Sequence, residues 1–525
     1  MKSRNISVSE RVFEISELVA LICNFASQQD RVRLLQVNQC LFLYAGAFVW
    51  RHVPGAIHLL RLIPGMPACA SIPPDISDCP TIKINTSRLE LYAHFVQSLE
   101  VYHPLAKTYC IQNLWQAHRV PDVQQLSEFP KLHRLTYTCL GKLEENQLDY
   151  IPLFLSSSLR EIEIGAQGGS PLWQNLSSVS NFLSLISHRC PELEGLRIYS
   201  GEPLPHTEVN RKFHVAISAE ASLAIHQTMD QFRSLRRLTI SPAVLEPTVF
   251  RSIGAFLNLE TLTIQSEAYG GLVYDEYSLD DASFSALRYL ELVDLNPHTI
   301  MKICNLQPLL RRLEYASVKF GRGSDETWKY DGDRRDSLLA LVRCCPRLTG
   351  LKFDIGECDN EIIMMAPSLV NLFQSRQLRY INITALGSST EHTKWTELIS
   401  ALPLVEELHL PMDILDYRTL RDFATMLPRL HLLELRAARF EISKGATGDF
   451  ERVPSPPQIP LHLKCGFRML QVRYHMDTIA RYLHALWPNV VVEVIKFSPE
   501  IPAPYIAAAD RRMKRTLSEL RHACA

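Results

Sequence analysis

From residue 129 onward the apolar and polar positions settle into one recurring phrase. It reads "FPKLHRLTY", "SSSLREIEI", "CPELEGLRI", "FRSLRRLTI", "FLNLETLTI" and "FSALRYLEL", and continues as "QPLLRRLEY", "CPRLTGLKF", "SRQLRYINI", "LPLVEELHL" and "LPRLHLLEL". The common core is L-x-x-L-x-[IL]. Its first apolar position falls at Leu132, Leu159, Leu193, Leu235, Leu259, Leu287, Leu310, Leu348, Leu378, Val405 and Leu430, in steps of 23 to 42 residues. Alternation such as Leu238 and Ile240 between polar neighbours predicts a short, half-buried strand. Helix-length runs lie between, such as "VSNFLSLISHRC" before Pro191 and "DSLLALVRCC" before Pro346. Proline there stops a helix and lets the chain turn into the next strand. One helix and one strand cannot cover their own apolar faces, so neighbouring units must stack with their strands parallel. "SLEVY" (98–102) predicts an earlier strand and "WPNVVVEVIKF" (487–497) a closing one. Residues 441–460, rich in Gly, Ser and Pro, predict a long loop.

The first sixty residues carry a different pattern. Leu18, Leu21, Ile22 and Phe25 recur at helical spacing, with Ser16 as the expected N-cap. Asp30 is the expected cap of a second helix carrying Leu34, Val37 and Leu41. A third short helix carries Phe48 and Trp50. Three such helices make a unit of about forty residues, too small to be very stable alone, so it gains from docking on something. At the other end, "YIAAADRRMKRTLSELRHACA" predicts a helix. Its Arg511, Arg512, Lys514 and Arg515 read as a solvated face or a nuclear signal.

The recurring phrase resembles the strand segment of leucine-rich repeats, in a divergent form that lacks the usual asparagine after most strands. The N-terminal unit resembles an F-box. The matching places are Ile15-Ser16-Glu17-Leu18, Ile22-Cys23-Asn24-Phe25, Asp30-Arg31, Val37-Asn38 and Val49-Trp50. Ser16 replaces the usual proline, and Arg31 stands where leucine is common. An F-box followed by such repeats is similar to the large fungal families of F-box proteins with divergent repeats. The fold expected is α/β: a small three-helix F-box followed by a curved leucine-rich-repeat solenoid with a parallel inner sheet. The bounds expected are 1–10 for a flexible N-terminus, 11–65 for the F-box-like unit, 66–497 for the solenoid and 498–525 for a tail helix. The resemblance implies the substrate receptor of a Skp–cullin–F-box ubiquitin ligase. Ile15, Leu18, Ile22, Leu34, Val37, Val49 and Trp50 would then bind the Skp-type adaptor, and through it a cullin. The alternative is a repeat scaffold or inhibitor that binds a protein partner without the ligase.

Composition narrows the chemistry. Some 46% of residues are hydrophobic and 21% charged, which is ordinary globular composition, and the net charge is −1. Neither nucleic acid nor an acidic membrane is expected to bind such a chain non-specifically. Thirteen scattered cysteines without a C-x-x-C pair read as reduced thiols, with Cys190 and Cys345 as small packed side chains before a proline. No secretory signal and no transmembrane stretch are recognisable, so a cytoplasmic or nuclear protein is expected. Phosphate-loop, zincin and nucleophile-elbow motifs are missing, and His94, His103, Cys110 and His118 match no zinc spacing. No catalytic activity, metal or cofactor is therefore expected; an enzyme hidden in an irregular repeat is the remaining possibility. Substrate contacts are expected on the long loops after the strands, at Tyr199, Tyr274, Tyr277, Trp328, Tyr330 and Trp395, unless these aromatics pack onto their own repeats. The strand faces mix Arg134, Arg197, Arg237, Arg312 and Lys352 with Glu161, Glu163, Glu291, Glu314, Glu407 and Glu434. That mixture suits a protein or peptide better than nucleic acid.

Overall fold

The computed structural model describes residues 15–62, 87–101, 129–139, 151–152, 154–166, 173–174, 176–200, 219–266, 279–320, 331–354, 367–383, 392–410, 414–435, 439–441, 459–465, 469–494 and 503–524. The chain divides into two compact units, residues 1–259 and 260–525.

The first unit opens with three helices, α1 (Ser16–Phe25), α2 (Gln28–Leu34) and α3 (Gln39–Val49). Two capping expectations are corrected. Ser16 is the first helical residue, with Ile15 at the cap and no side-chain cap bond. Ser27, rather than Asp30, caps α2, its hydroxyl accepting from the Asp30 amide at 3.2 Å, while Asp30 lies in the first turn. The stripe of Leu34, Val37 and Leu41 also breaks up. The Asn38 side chain accepts the Leu41 amide at 2.8 Å and starts a separate helix, leaving Val37 in the turn. Val19, Cys23, Leu41 and Ala45 form the small core, with Leu34, Leu35, Cys40, Tyr44 and Phe48 packed around it.

Parallel strands follow in chain order: β1 (His52–Val53), β2 (Ser98–Glu100), β3 (Arg134–Cys139) and β4 (Glu161–Ala166). The short β5 (Trp173–Gln174) precedes α4 (Leu176–Arg189), β6 (Gly195–Arg197) and β7 (Tyr199–Ser200). The sheet continues from β4 to β6 and from β6 to β8 (Arg237–Ile240), while β5 pairs with β7 at its flank.

The second unit repeats the arrangement with β9 (Thr261–Gln265), β10 (Tyr289–Val293), β11 (Tyr315–Lys319), β12 (Gly350–Asp354), β13 (Tyr380–Ile383) and β14 (Glu407–Leu410). It ends with β16 (Leu432–Leu435), β18 (His462–Cys465) and β19 (Val491–Val494), all parallel neighbours in that order. The flanking pair β15 (Ile414–Asp416) and β17 (Arg439–Glu441) lies apart from this sheet. Helix α5 (Met469–Leu486) and the tail helix α6 (Ala503–Cys524) close the chain.

Each leading leucine is buried, as are the two apolar positions after it, for example Leu287, Leu290 and Leu292. Alternate positions such as Tyr289 and Glu291 stay on an open face. The residue three places before the leading leucine closes the turn into the strand. Its carbonyl accepts the leucine amide, from Phe129 to Leu132, Cys190 to Leu193 and Cys345 to Leu348. Cys190 and Cys345 therefore do occupy one point of the repeat, and both are buried. Sequence register fails in one copy. Tyr289 pairs with Tyr315 and Leu290 with Ala316, so that phrase begins at Leu313 and not at Leu310. Leu310 instead supplies the turn carbonyl to the Leu313 amide. The open-face residues of β11 are consequently Tyr315 and Ser317, where Arg312 and Glu314 were expected.

This is a leucine-rich-repeat solenoid: one short parallel strand per unit, one buried leucine face, and helices such as Asp331–Cys344 between strands. The expected strands at 98–102 and 487–497 are present as β2 and β19. Residues 1–14 and 442–458, which carry the expected flexible N-terminus and most of the expected long loop, lie outside the described residues.

Candidate functional site

Two surfaces stand out, one in each unit. On α1, Leu18, Leu21, Ile22 and Phe25 share one stripe, at i, i+3, i+4 and i+7, and all four are exposed, Phe25 to 80%. The opposite stripe, Val19 and Cys23, is the one that meets the core. Val32 on α2, Leu43 on α3, Ile15 at the cap of α1 and Val37 in the turn between α2 and α3 add further exposed apolar side chains. Apolar groups in such number outside a core mark an interaction surface.

The expected adaptor-binding residues separate into two groups. Ile15, Leu18, Ile22 and Val37 are exposed. Leu34 packs on the helical core, Val49 is half-buried, and Trp50 turns away to the repeats. The Trp50 ring lies 4.6 Å from that of Tyr92, and Phe42 sits edge-on to Tyr92 and Phe95 at 5.6 and 5.9 Å. A Cβ on Gly46 would approach the Phe95 ring to 2.9 Å, so glycine is what permits this contact. Arg51 then donates to the Gln97 side chain at 2.9 Å, and His52–Val53 enters the sheet as β1. The stretch "AFVWRHV" thus joins the helices to the first repeats. Leu21, Phe25, Val32 and Leu43 were absent from the expected set; exposure, which periodicity alone does not report, is what adds them.

Arg31 has a definite place. Its guanidinium donates to the Cys23 and Asn24 carbonyls, both at 2.7 Å, and lies over the Phe48 ring at 5.2 Å. These are the carbonyls that the end of α1 leaves without helical partners.

The second surface is the open face of the second sheet. Tyr289 and Tyr315 stack at 4.2 Å with 17° between planes, Tyr315 and Tyr380 tilt at 5.5 Å, and Tyr380 meets His409 at 5.4 Å. In the paired register Gly350 falls between Tyr315 and Tyr380, and the Tyr315 ring occupies the space its Cβ would take. A groove of about 470 Å³ runs beside these rings, lined also by Glu314, Thr349, Arg379 and Glu407. Burial and neighbouring phenols push the Tyr315 hydroxyl well above the usual tyrosine range, so it stays protonated. The sequence signal was the phrase "LRY" in "ALRYLEL" and "QLRYINI"; Tyr315 was hidden by the register slip.

Of the loop aromatics, Tyr199 is fully buried in β7 and its hydroxyl accepts from Arg197 Nε at 2.7 Å, so it packs its own repeat. Trp395 belongs to the helix His392–Ser400 and not to a loop. Tyr274, Tyr277, Trp328 and Tyr330 lie outside the described residues, as do His103, Cys110 and His118. Among the described residues no group of three or more His, Cys, Asp or Glu is placed to hold a metal ion. None of the helices there is long and apolar enough to cross a membrane.

No family model and no curated protein matches the chain. Among solved structures it is similar to one titled as the Rad7 and Elc1 complex in yeast, at 15% identity and TM-score 0.34 over 76% of this chain and 87% of that one. A protein of Bacteroides fragilis follows at 12% identity and TM-score 0.28, covering 69% and 74% of the two chains. A structure of a TLR13–ssRNA13 complex follows at 12% and 0.27, covering 77% and 62%. The repeat architecture stands on the strand pairing above.

Proposed function

We propose that this chain is the substrate receptor of a Skp–cullin–F-box ubiquitin ligase, non-catalytic itself. Its N-terminal helices dock the Skp-type adaptor and its repeats hold a protein substrate. The observation that carries the reading is the exposed stripe of Leu18, Leu21, Ile22 and Phe25, which coincides with the F-box-like phrase Ile22-Cys23-Asn24-Phe25. In this reading the adaptor covers Ile15, Leu18, Ile22, Val37 and the neighbouring Leu21 and Phe25. Leu34 holds the unit together from inside, and Trp50 fastens it to the repeats through Tyr92. The domain bounds 11–65, 66–497 and 498–525 remain the proposed division, with β1, inside the first, pairing onto β2 of the second. Tyr274, Tyr277, Trp328 and Tyr330 remain proposed substrate contacts.

The test is co-purification with a Skp-type adaptor. Truncating a central interface side chain costs about 2 kcal/mol or more, roughly thirtyfold in affinity. Leu18→Ala with Phe25→Ala should abolish capture while leaving the melting temperature nearly unchanged, because neither side chain contributes to the core. A repeat scaffold without ligase association predicts no adaptor capture by wild type at all, and that result would remove the ligase reading.

A further inference from the structure

Among the described residues, two buried hydrogen-bonding positions on the open face of the second unit have no partner, Asn382 Oδ1 and His409 Nε2. Asn382 and His409 are paired across β13 and β14, two residues along the strands from Tyr380 and Glu407 and so on the same face. The Asn382 amide nitrogen donates to the Tyr380 hydroxyl at 3.1 Å, while its Oδ1 is buried without a partner; the residue is 7% exposed. His409 Nδ1 lies 3.0 Å from Glu434 Oε2, and Nε2 is likewise buried and unpartnered. In the tautomer that donates to Glu434, Nε2 carries a lone pair. Asn382 Oδ1, and His409 Nε2 in that tautomer, are therefore acceptors that lack a donor.

Charge points the same way. The paired open-face positions from β10 to β16 carry four acids, Glu291, Asp354, Glu407 and Glu434, against two lysines, Lys319 and Lys352. Glu291 is held by the Ser317 and Thr263 hydroxyls, at 3.2 and 3.4 Å, and not by a cation. Between these groups lies the tyrosine ladder, whose ring faces attract cations. Donor-rich, positively charged and flat is the chemistry of a guanidinium.

We propose that this face binds an arginine-bearing extended segment of a partner protein, the guanidinium stacking on Tyr380 and donating to Asn382 Oδ1 and His409 Nε2. The half-buried Tyr380 ring shifts to admit it. Glu291 and Glu407 supply the opposite charge on either side of the ladder. The proposal deepens the substrate half of the reading above by naming the chemistry recognised, and it does not depend on the adaptor.

The test uses the purified full chain without any adaptor. The probe is a short fluorescein-labelled peptide alternating arginine and serine, measured by fluorescence anisotropy beside matched peptides carrying citrulline or glutamate in place of arginine. Wild type should bind the arginine peptide and discriminate against both others. Tyr380→Ala should weaken binding about thirtyfold, the worth of one desolvated cation–π contact. Glu291→Gln, which preserves shape, should weaken it in the same direction, and Tyr380→Phe should retain it. Equal binding of the citrulline or glutamate peptide would overturn the proposal. So would failure of the arginine peptide to bind, or indifference to Glu291→Gln. Should Tyr380→Ala fail to fold, Glu291→Gln and the citrulline peptide still decide. Adaptor capture is scored separately on Leu18→Ala with Phe25→Ala, so either half can fail while the other stands.

Discussion

Arg31 stands where leucine is common in the F-box pattern, yet its guanidinium closes the end of α1 through the Cys23 and Asn24 carbonyls. Hydrogen bonds from a charged donor are worth about 1.5–3 kcal/mol each when well formed, and less where solvent reaches them. Arg31→Leu should therefore destabilise the N-terminal helices by about 1–2 kcal/mol, read as a lower denaturation midpoint; an unchanged midpoint would show the bonds to be idle. The packed cysteines give a second expectation at this scale. Burial pushes the thiols of Cys190 and Cys345 up to about 12. A raised folded value favours the protonated form, so this stabilisation is complete below the unfolded value near 8.5 and is lost as pH rises towards the folded one. Native protein at pH 8 should thus leave both thiols unalkylated by iodoacetamide while unfolded protein reacts at both. Rapid native labelling of either would contradict the packing. The cysteine and leucine positions were legible because the repeat places them at one recurring point. Tyr315 was not. The one L-x-x-L in "LLRRLEYASV" runs from Leu310 to Leu313, while the true strand copy carries Ala316 and Val318 where the pattern has leucine or isoleucine, so only strand pairing selects Leu313.

The tail helix α6 shows what an element does that its composition conceals. Met513 and Leu517 are buried, and Arg512 donates to both Asp477 carboxylate oxygens, at 3.3 and 2.7 Å, which with the Thr516 hydroxyl holds Asp477 below the usual carboxylate range. Asp510 accepts the Val494 amide at 3.3 Å, covering part of an otherwise open strand edge. Lys514 and Arg515 pair with Asp510 and Glu519 on the same helix. The helix was predictable from its periodicity, but its role as an end cap was not, since Asp477 and Val494 lie on other elements. Met513→Ala should cost about 2–5 kcal/mol, whereas Arg515→Ala should stay within about 0.5 kcal/mol. Chemical denaturation of the two variants checks this, and the reverse order would make α6 a loosely held basic tail. The same limit applied at α1. Its apolar stripe was visible as a pattern, but a pattern does not say whether a core or a partner covers it. The structure leaves it exposed because Val19 and Cys23 already fill the side facing α3.

At the scale of the whole chain, the architecture followed from repetition: one phrase, stacked, needs a parallel sheet with a buried leucine face, and each unit has one. Function is written less redundantly. Each unit carries one distinctive surface, an apolar stripe at the N-terminal helices and an aromatic, acceptor-rich face in the second sheet. The apolar stripe does not recur, and the tyrosine row shows in the sequence only as the "LRY" of two copies, so periodicity alone could not reveal either surface. The reading of the chain as a ligase receptor depends on the first surface being where the adaptor binds. Hydrogen–deuterium exchange of the full chain, with and without a purified Skp-type adaptor, tests this most directly. The account predicts slowed exchange over residues 15–43 and unchanged exchange in the strands of both sheets; an adaptor that binds without protecting 15–43, or that protects the repeats instead, would contradict it.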